Sequence, residues 1–155
     1  MRYQEITEAA GLTERRDYTV RVVPDDTTEL APGSAAEYKR RKNEIVVRDR
    51  WKNNRFLMSH EVGHALLDGL QPGHWDYHFR EDPKAWDEFL DTATCRTYQK
   101  RDEIAPEDLN NPWCYDWVEV GADLYMEYEA GRFSDKPRLT RILMLLIEEA
   151  DHIVE

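Results

Sequence analysis

The sequence predicts an α+β fold, in which a small N-terminal sheet is followed by helices in a single domain spanning residues 1–155. In residues 1–50, short stretches alternate apolar and polar side chains, as half-buried strands do. After residue 53, apolar side chains recur at helical spacing instead. Strands first and helices afterwards favour a small antiparallel or mixed sheet packed on helices.

The N-terminal strands are expected in three places. Residues 17–24 alternate Tyr18, Val20 and Val22 with polar side chains and are closed by a proline. Residues 35–40 and 44–48 predict a hairpin whose turn lies near Lys42 and Asn43. The residues between the first strand and the hairpin predict a loop.

The helices and their connections follow from caps, breakers and periodicity. The first two are a short helix at 3–11 and a helix at 53–69, which Asn53 or Asn54 caps and Gly69 ends. A polar connection or lid follows at 71–111 and contains a short helix around 84–98. The last two are a helix at 112–131, which Asn111 and Pro112 begin, and a C-terminal helix at 137–154.

Composition excludes several classes of function. The formal net charge is −11, which argues against a general nucleic-acid binder and against docking on an anionic membrane. The two cysteines, Cys95 and Cys114, are too few for a disulfide framework. The longest aliphatic run, 142–147, is too short to span a bilayer, and the N-terminus lacks the apolar run of a signal peptide. A cytoplasmic protein is therefore expected.

The stretch FLMSHEVGHALLDG, residues 56–69, contains the pattern H-E-x-x-H. Positions i and i+4 of a helix share a face, so His60 and His64 can direct both imidazoles at one point. Neutral imidazole is a ligand that Zn²⁺ accepts. Glu61, beside them, is placed to act as general base toward a water molecule. The motif therefore predicts a zinc site with its catalytic base.

A third protein ligand must come from elsewhere in the chain. His74 and His78 are the remaining histidine candidates downstream. Glu119 is favoured over them, because Asp123 lies on the same face of the 112–131 helix and can accept the second ring N–H of a ligand histidine, with His60 as the expected donor. Small residues at 121 and 122 would let this helix lie close to the helix of the motif.

An H-E-x-x-H helix followed by E-x-x-x-D on a second helix resembles the gluzincin arrangement of zinc metallopeptidases. The segment EIVVRDRWKNNRFLMSHEVGHALL, residues 44–67, together with EVGADLYMEYEAG, residues 119–131, is similar to the ImmA/IrrE-type metallopeptidases in particular. The resemblance implies a minimal zincin-like domain, with His60, His64 and Glu119 as zinc ligands and Glu61 as base. It also implies cleavage of repressor proteins in bacteria or their phages.

Substrate contacts are expected beside the motif. The strand at 43–49, which contains Ile45, Val46 and Val47, either lies at the sheet edge and pairs with an extended peptide substrate or is a central or edge strand that binds nothing. Candidate donors to the oxyanion of the reaction are His74, Tyr77, His78, Tyr115 and Tyr125. Eight basic residues precede or begin the motif helix and form either a solvated face or a basic rim of the cleft. They are Lys39, Arg40, Arg41, Lys42, Arg48, Arg50, Lys52 and Arg55.

These features predict a zinc-dependent endopeptidase that hydrolyses a peptide bond in a specific protein or peptide substrate, such as a regulator or repressor. The alternative is a non-enzymatic regulatory module of the same fold that binds a protein or nucleic-acid partner. A zinc hydrolase acting on a non-peptide amide would use the same atoms. Glu61 favours an enzyme, because a purely structural metal site has no use for a base.

Overall fold

The computed structural model describes residues 18–100 and 104–154. It shows an α+β fold with a three-stranded mixed sheet. The strands are β1 (Thr19–Val23), β2 (Ala36–Lys39) and β3 (Glu44–Arg48), in the order β1-β3-β2. β1 runs parallel to β3, and β2 runs antiparallel to it. The α+β prediction is thus confirmed, with a mixed sheet, while the helix predicted at 3–11 falls outside the described residues.

The predicted hairpin is present and has a tight connection. A single turn of 3₁₀ helix, Arg40–Lys42, joins β2 to β3 and ends at Asn43, whose φ of 49° lies in the left-handed region. Asparagine tolerates this conformation better than most residues. The Tyr38 hydroxyl donates to Asn43 Oδ1 at 2.8 Å, which fixes the turn against the strand that precedes it.

Six α-helices lie in the described part of the chain, together with four single turns of 3₁₀ helix. The α-helices are α1 (Arg55–Leu66), α2 (Pro72–Glu81), α3 (Pro83–Leu90), α4 (Ala93–Lys100), α5 (Trp117–Glu129) and α6 (Pro137–Val154). The 3₁₀ turns are Arg40–Lys42, Asp49–Trp51, Pro106–Asp108 and Pro112–Cys114. Asn54 caps α1, since its side chain accepts from the Leu57 N–H at 3.0 Å.

The region 71–111 corrects the sequence prediction, because most of it is helical. The single helix expected around 84–98 is two helices, α3 and α4. Thr92 interrupts the run, since its hydroxyl accepts from the Cys95 N–H and so begins a new helix. Phe89 is fully buried, and Trp86 packs against the core. The segment therefore packs on the domain.

The helix predicted at 112–131 begins later than expected. Asn111 does cap a turn, but that turn is only the 3₁₀ segment Pro112–Cys114. Asp116 then caps α5 by accepting from the Val118 N–H at 3.2 Å. Asp116 is thus a second cap, within six residues of Asn111, and it begins a new helix. The helix that carries Glu119 therefore starts at Trp117.

Helix α1 lies between the sheet and α5 and is mostly buried. Its contact with α5 is unusually close. A Cβ built on Gly63 would lie 2.9 Å from the Ala122 Cα and 3.1 Å from the Tyr125 Cβ. Glycine at 63 therefore permits the approach, with Ala122 as the small residue opposite. The small residue predicted at 121 has another role, because its missing Cβ leaves space for Trp75 and Leu67.

We expect Gly63→Ala to lower the free energy of unfolding by about 1 kcal/mol. The overpacking penalty of about 1–3 kcal/mol exceeds the gain in helix propensity, about 1 kcal/mol, because a backbone atom cannot yield locally. Gly73→Ala is the matched control, since its methyl group would meet the far end of the exposed Trp113 ring at 3.3 Å. Urea denaturation measures both. Equal stability of the two variants would show that α1 and α5 separate at little cost.

Candidate metal centre

Three side chains from two helices meet at one point of the molecule. His60 and His64 lie on α1, and Glu119 lies in the first turn of α5. One ligand atom of each lies within 4.8 Å of the others. The Nε2 atoms of the two histidines are 3.1 Å apart, and each is 3.4 Å from a Glu119 carboxylate oxygen. This group could hold a metal ion.

The position of Glu119 follows from the local structure. The Asp116 cap sets the start of α5, so residue 119 falls in its first turn. Close packing of Gly63 on Ala122 then brings that turn over the face of α1 that carries both histidines. The structure thus brings Glu119 to the histidines, as the E-x-x-x-D spacing predicted.

His74 and His78, the alternatives considered for the third ligand, lie elsewhere. The Gln71 N–H donates to His74 Nδ1 at 3.0 Å within a capping box at the start of α2. His78 Nε2 is 2.7 Å from Glu149 Oε1 on α6. Both rings are committed to structural contacts outside the metal group.

The donor set suits a transition-metal cation. It offers two imidazole nitrogens and one carboxylate oxygen, which is a ligand set of catalytic rather than structural zinc sites. His60 Nδ1 lies 2.8 Å from Asp123 Oδ1, so the carboxylate orients the ring and leaves Nε2 facing the group. Asp123 therefore occupies the place predicted for it. The Glu119 side chain is 48% exposed, which keeps the group open on one side.

The charges at this point also suit a cation. Burial lowers the pKa of His60, but hydrogen bonds with Asp123 and Glu119 outweigh it and raise the pKa to about 10. Hydrogen bonds from His60 and His64 hold the pKa of Glu119 well below its usual range. The metal-free protein thus stabilises positive charge where the three ligands meet. A metal ion that bound there would displace the proton carried by His60.

Glu61 lies beside this group with a different environment. Its side chain is buried and lines the same cavity as the three ligands. Burial raises the pKa of the Glu61 carboxyl, and the nearby histidines and a backbone hydrogen bond from Tyr38 partly offset the rise. A carboxylate whose pKa is raised is a stronger base and is better suited to accept and return a proton.

Sequence reasoning missed two residues that support the centre. The Tyr98 hydroxyl donates to Asp123 Oδ2 at 3.3 Å, so Asp123 is held from both sides. Tyr98 lies on α4, whose first turn is fixed by the buried Glu127: its Oε2 accepts from the backbone N–H and the hydroxyl of Thr94. The sequence signal for Glu127 was its spacing: Glu119, Asp123 and Glu127 are four residues apart and so share one face of α5.

A cavity of about 590 Å³ opens over the metal group. Its walls come from β2, α1, the start of α2 and the segment that leads into α5. β2 is the sheet edge that faces this cavity, and its residues Ala36–Tyr38 line it.

The prediction that Ile45, Val46 and Val47 belong to a substrate-pairing edge strand was wrong. These residues form β3, the central strand, and all three are fully buried. The cause is the parallel pairing of β1 with the outer side of β3, a long-range contact that the hairpin pattern does not reveal. β3 has no unpaired edge to offer to a substrate.

Four of the five candidate oxyanion donors do not line the cavity. His74 and His78 are engaged as described, Tyr77 lies exposed on the outer side of α2, and Tyr125 is buried within the α1–α5 contact. Tyr115 does line the cavity, but its hydroxyl donates to the Leu109 carbonyl at 2.9 Å. Burial raises its pKa above the usual range.

The basic residues near the motif do not form a rim. Of the eight, only Arg40 lines the cavity, and its Nε is 2.9 Å from Asp68 Oδ1. Arg48 instead binds the 25–34 loop, with Nε donating to the Ser34 carbonyl at 2.7 Å. The cavity otherwise carries acidic side chains, among them Glu37 and Asp116.

No protein-family model, curated protein or solved structure matches this chain. Within residues 18–100 and 104–154, none of the helices combines the length and the apolar character needed to cross a membrane.

Proposed function

We propose that this protein is a zinc-dependent endopeptidase. The observation that supports the proposal most is the convergence of His60, His64 and Glu119 beside the buried Glu61 at the floor of an open cavity. A purely structural zinc site is closed by four protein ligands, whereas three ligands and an adjacent base suit catalysis.

Two nitrogens and one oxygen suit Zn²⁺ better than Mg²⁺ or Ca²⁺, which prefer oxygen ligands. A bound Zn²⁺ supplies a Lewis acid that polarises the scissile carbonyl and makes water more acidic. Asp123 and Tyr98 keep the His60 ring in the orientation and tautomer that binding requires.

Glu61 moves the proton. It takes a proton from the attacking water as the water oxygen bonds to the carbonyl carbon. When the C–N bond breaks, Glu61 returns that proton to the leaving nitrogen, so the products are a carboxylic acid and an amine. Its burial excludes bulk water that would otherwise exchange with this proton.

β2 positions the substrate in this proposal. It is the sheet edge beside the metal group, and an extended peptide can add to such an edge through main-chain hydrogen bonds. The similarity of residues 44–67 and 119–131 to ImmA/IrrE-type metallopeptidases favours a regulator or repressor protein as substrate.

The test is digestion of a proteome-derived peptide library, with new termini identified by mass spectrometry. We expect cleavage by the zinc-loaded protein, loss of cleavage after chelation with 1,10-phenanthroline, and recovery when Zn²⁺ is restored. Absence of cleavage by the zinc-loaded protein would contradict the proposal, as would cleavage that chelation leaves unchanged. In the first case the non-enzymatic binding module becomes the better account.

A further inference from the structure

A second concave surface lies on the other side of the N-terminus of α2. It is a groove of about 620 Å³, within the range of ligand-binding sites, formed by the start of α2, the Pro112–Cys114 turn and the end of α6. Tyr77, Trp113 and Ile153 are its apolar walls. Its one acidic lining residue, Glu149, is paired with His78.

Exposed apolar side chains are concentrated in this groove. Six large apolar residues are exposed in the described part of the chain, and Tyr77, Trp113 and Ile153 are three of them, at 59%, 56% and 47% exposure. Single exposed apolar residues are ordinary, but a contiguous set marks an interaction site. A fourth, Val118, lines the cavity of the metal centre.

The turn that carries Trp113 is held in place at its backbone. Asn111 Oδ1 accepts from the Trp113 N–H at 3.1 Å, and the Trp117 indole N–H donates to the Pro112 carbonyl at 2.7 Å. The Trp113 ring lies against α2, where Gly73 leaves room for it. Because the backbone of this turn is already ordered, a ligand that packs on the Trp113 ring has only the side-chain torsions left to restrict.

The groove adjoins the cavity of the metal centre. Gln71 and Pro72 line both, so only the N-terminus of α2 separates the two. An extended chain advances about 3.3 Å per residue. A peptide that leaves the cavity across Gln71 and Pro72 therefore enters the groove within a few residues.

We propose that this groove is a second substrate-binding site, which takes an apolar segment of the peptide whose scissile bond lies in the cavity. The inference rests on the proposed function, because it assigns the groove to the same peptide. Aromatic or aliphatic side chains of that segment pack between Tyr77, Trp113 and Ile153. The metal centre cuts the chain, and the groove selects which chain is cut.

The test is binding of the Glu61→Gln protein to an array of random 15-residue peptides. We expect bound peptides to be enriched in aromatic and aliphatic residues, and Trp113→Ala to weaken their binding roughly tenfold. Tyr77→Ala serves as the second groove variant. Phe56→Ala is the matched control, since Phe56 is equally exposed, at 55%, but lines neither the groove nor the cavity.

Several results would overturn the groove assignment. They are no peptide binding, binding without apolar enrichment, or equal loss in Trp113→Ala and Phe56→Ala. A dimer in solution that Trp113→Ala dissociates would assign the groove to a second copy instead. Apolar peptide binding without cleavage by the wild-type protein would contradict the endopeptidase but not the groove. Cleavage by the wild-type protein, together with peptide binding that neither Trp113→Ala nor Tyr77→Ala weakens, would support the endopeptidase and contradict the groove assignment.

Discussion

The Glu61→Gln protein is expected to bind Zn²⁺ as the wild type does and to hydrolyse peptides about a hundredfold to ten-thousandfold more slowly, the range that a general base contributes. Glutamine keeps the size of the buried side chain and one acceptor oxygen, but its amide cannot take up the proton of water. Glu61 is not one of the three grouped ligands, so the metal site is left intact.

Single-turnover cleavage of a peptide identified in the library digest measures this effect. Glu37→Gln is the matched control, because Glu37 lines the same cavity but is 52% exposed at its side chain and is not part of the metal group. Equal rate losses in the two variants would indicate a general charge effect. Unchanged hydrolysis by Glu61→Gln would remove Glu61 from the reaction.

The metal group was predictable because its signals are local. The i, i+4 spacing of the two histidines fixes a common face on any helix, and the same spacing relates Glu119 to Asp123. What joined the two helices was the expectation that small residues at 121 and 122 allow close approach. Ala122 does lie at the contact, opposite Gly63, whereas Gly121 makes room for Trp75 and Leu67. The order of strands and helices likewise follows from a change of period along the chain.

The strand proposed to bind substrate and the residues that support Asp123 were harder to predict, because their positions depend on contacts between segments far apart in the sequence. β3 appeared to be an edge strand until the parallel pairing with β1 showed it to be central. Tyr98 supports Asp123 from a helix whose start depends on the hydroxyl of Thr92, and the periodicity of 84–98 concealed that break. Sequence spacing describes single elements, whereas these features depend on how the elements pair.

Glu119→Ala and His64→Ala are each expected to lose the bound Zn²⁺, whereas the wild type and His74→Ala retain about one ion per chain, as one three-ligand site requires. Removing either ligand leaves two of the three grouped side chains, too few to compete with water and buffer. Because Glu119 is 48% exposed, its loss should leave the fold intact. Elemental mass spectrometry of dialysed protein gives the stoichiometry, and circular dichroism checks the fold.

His74→Ala is the informative control, since it removes a histidine near the cavity that is committed to the capping box of α2. Retention of Zn²⁺ by Glu119→Ala with loss in His74→Ala would move the third ligand to α2 and contradict the proposed ligand set. A well-folded wild type that binds no zinc would be a stronger contradiction. The hydrogen-bonded His60, His64 and Glu119 would then be a polar contact between α1 and α5, and the groove would be the better guide to function.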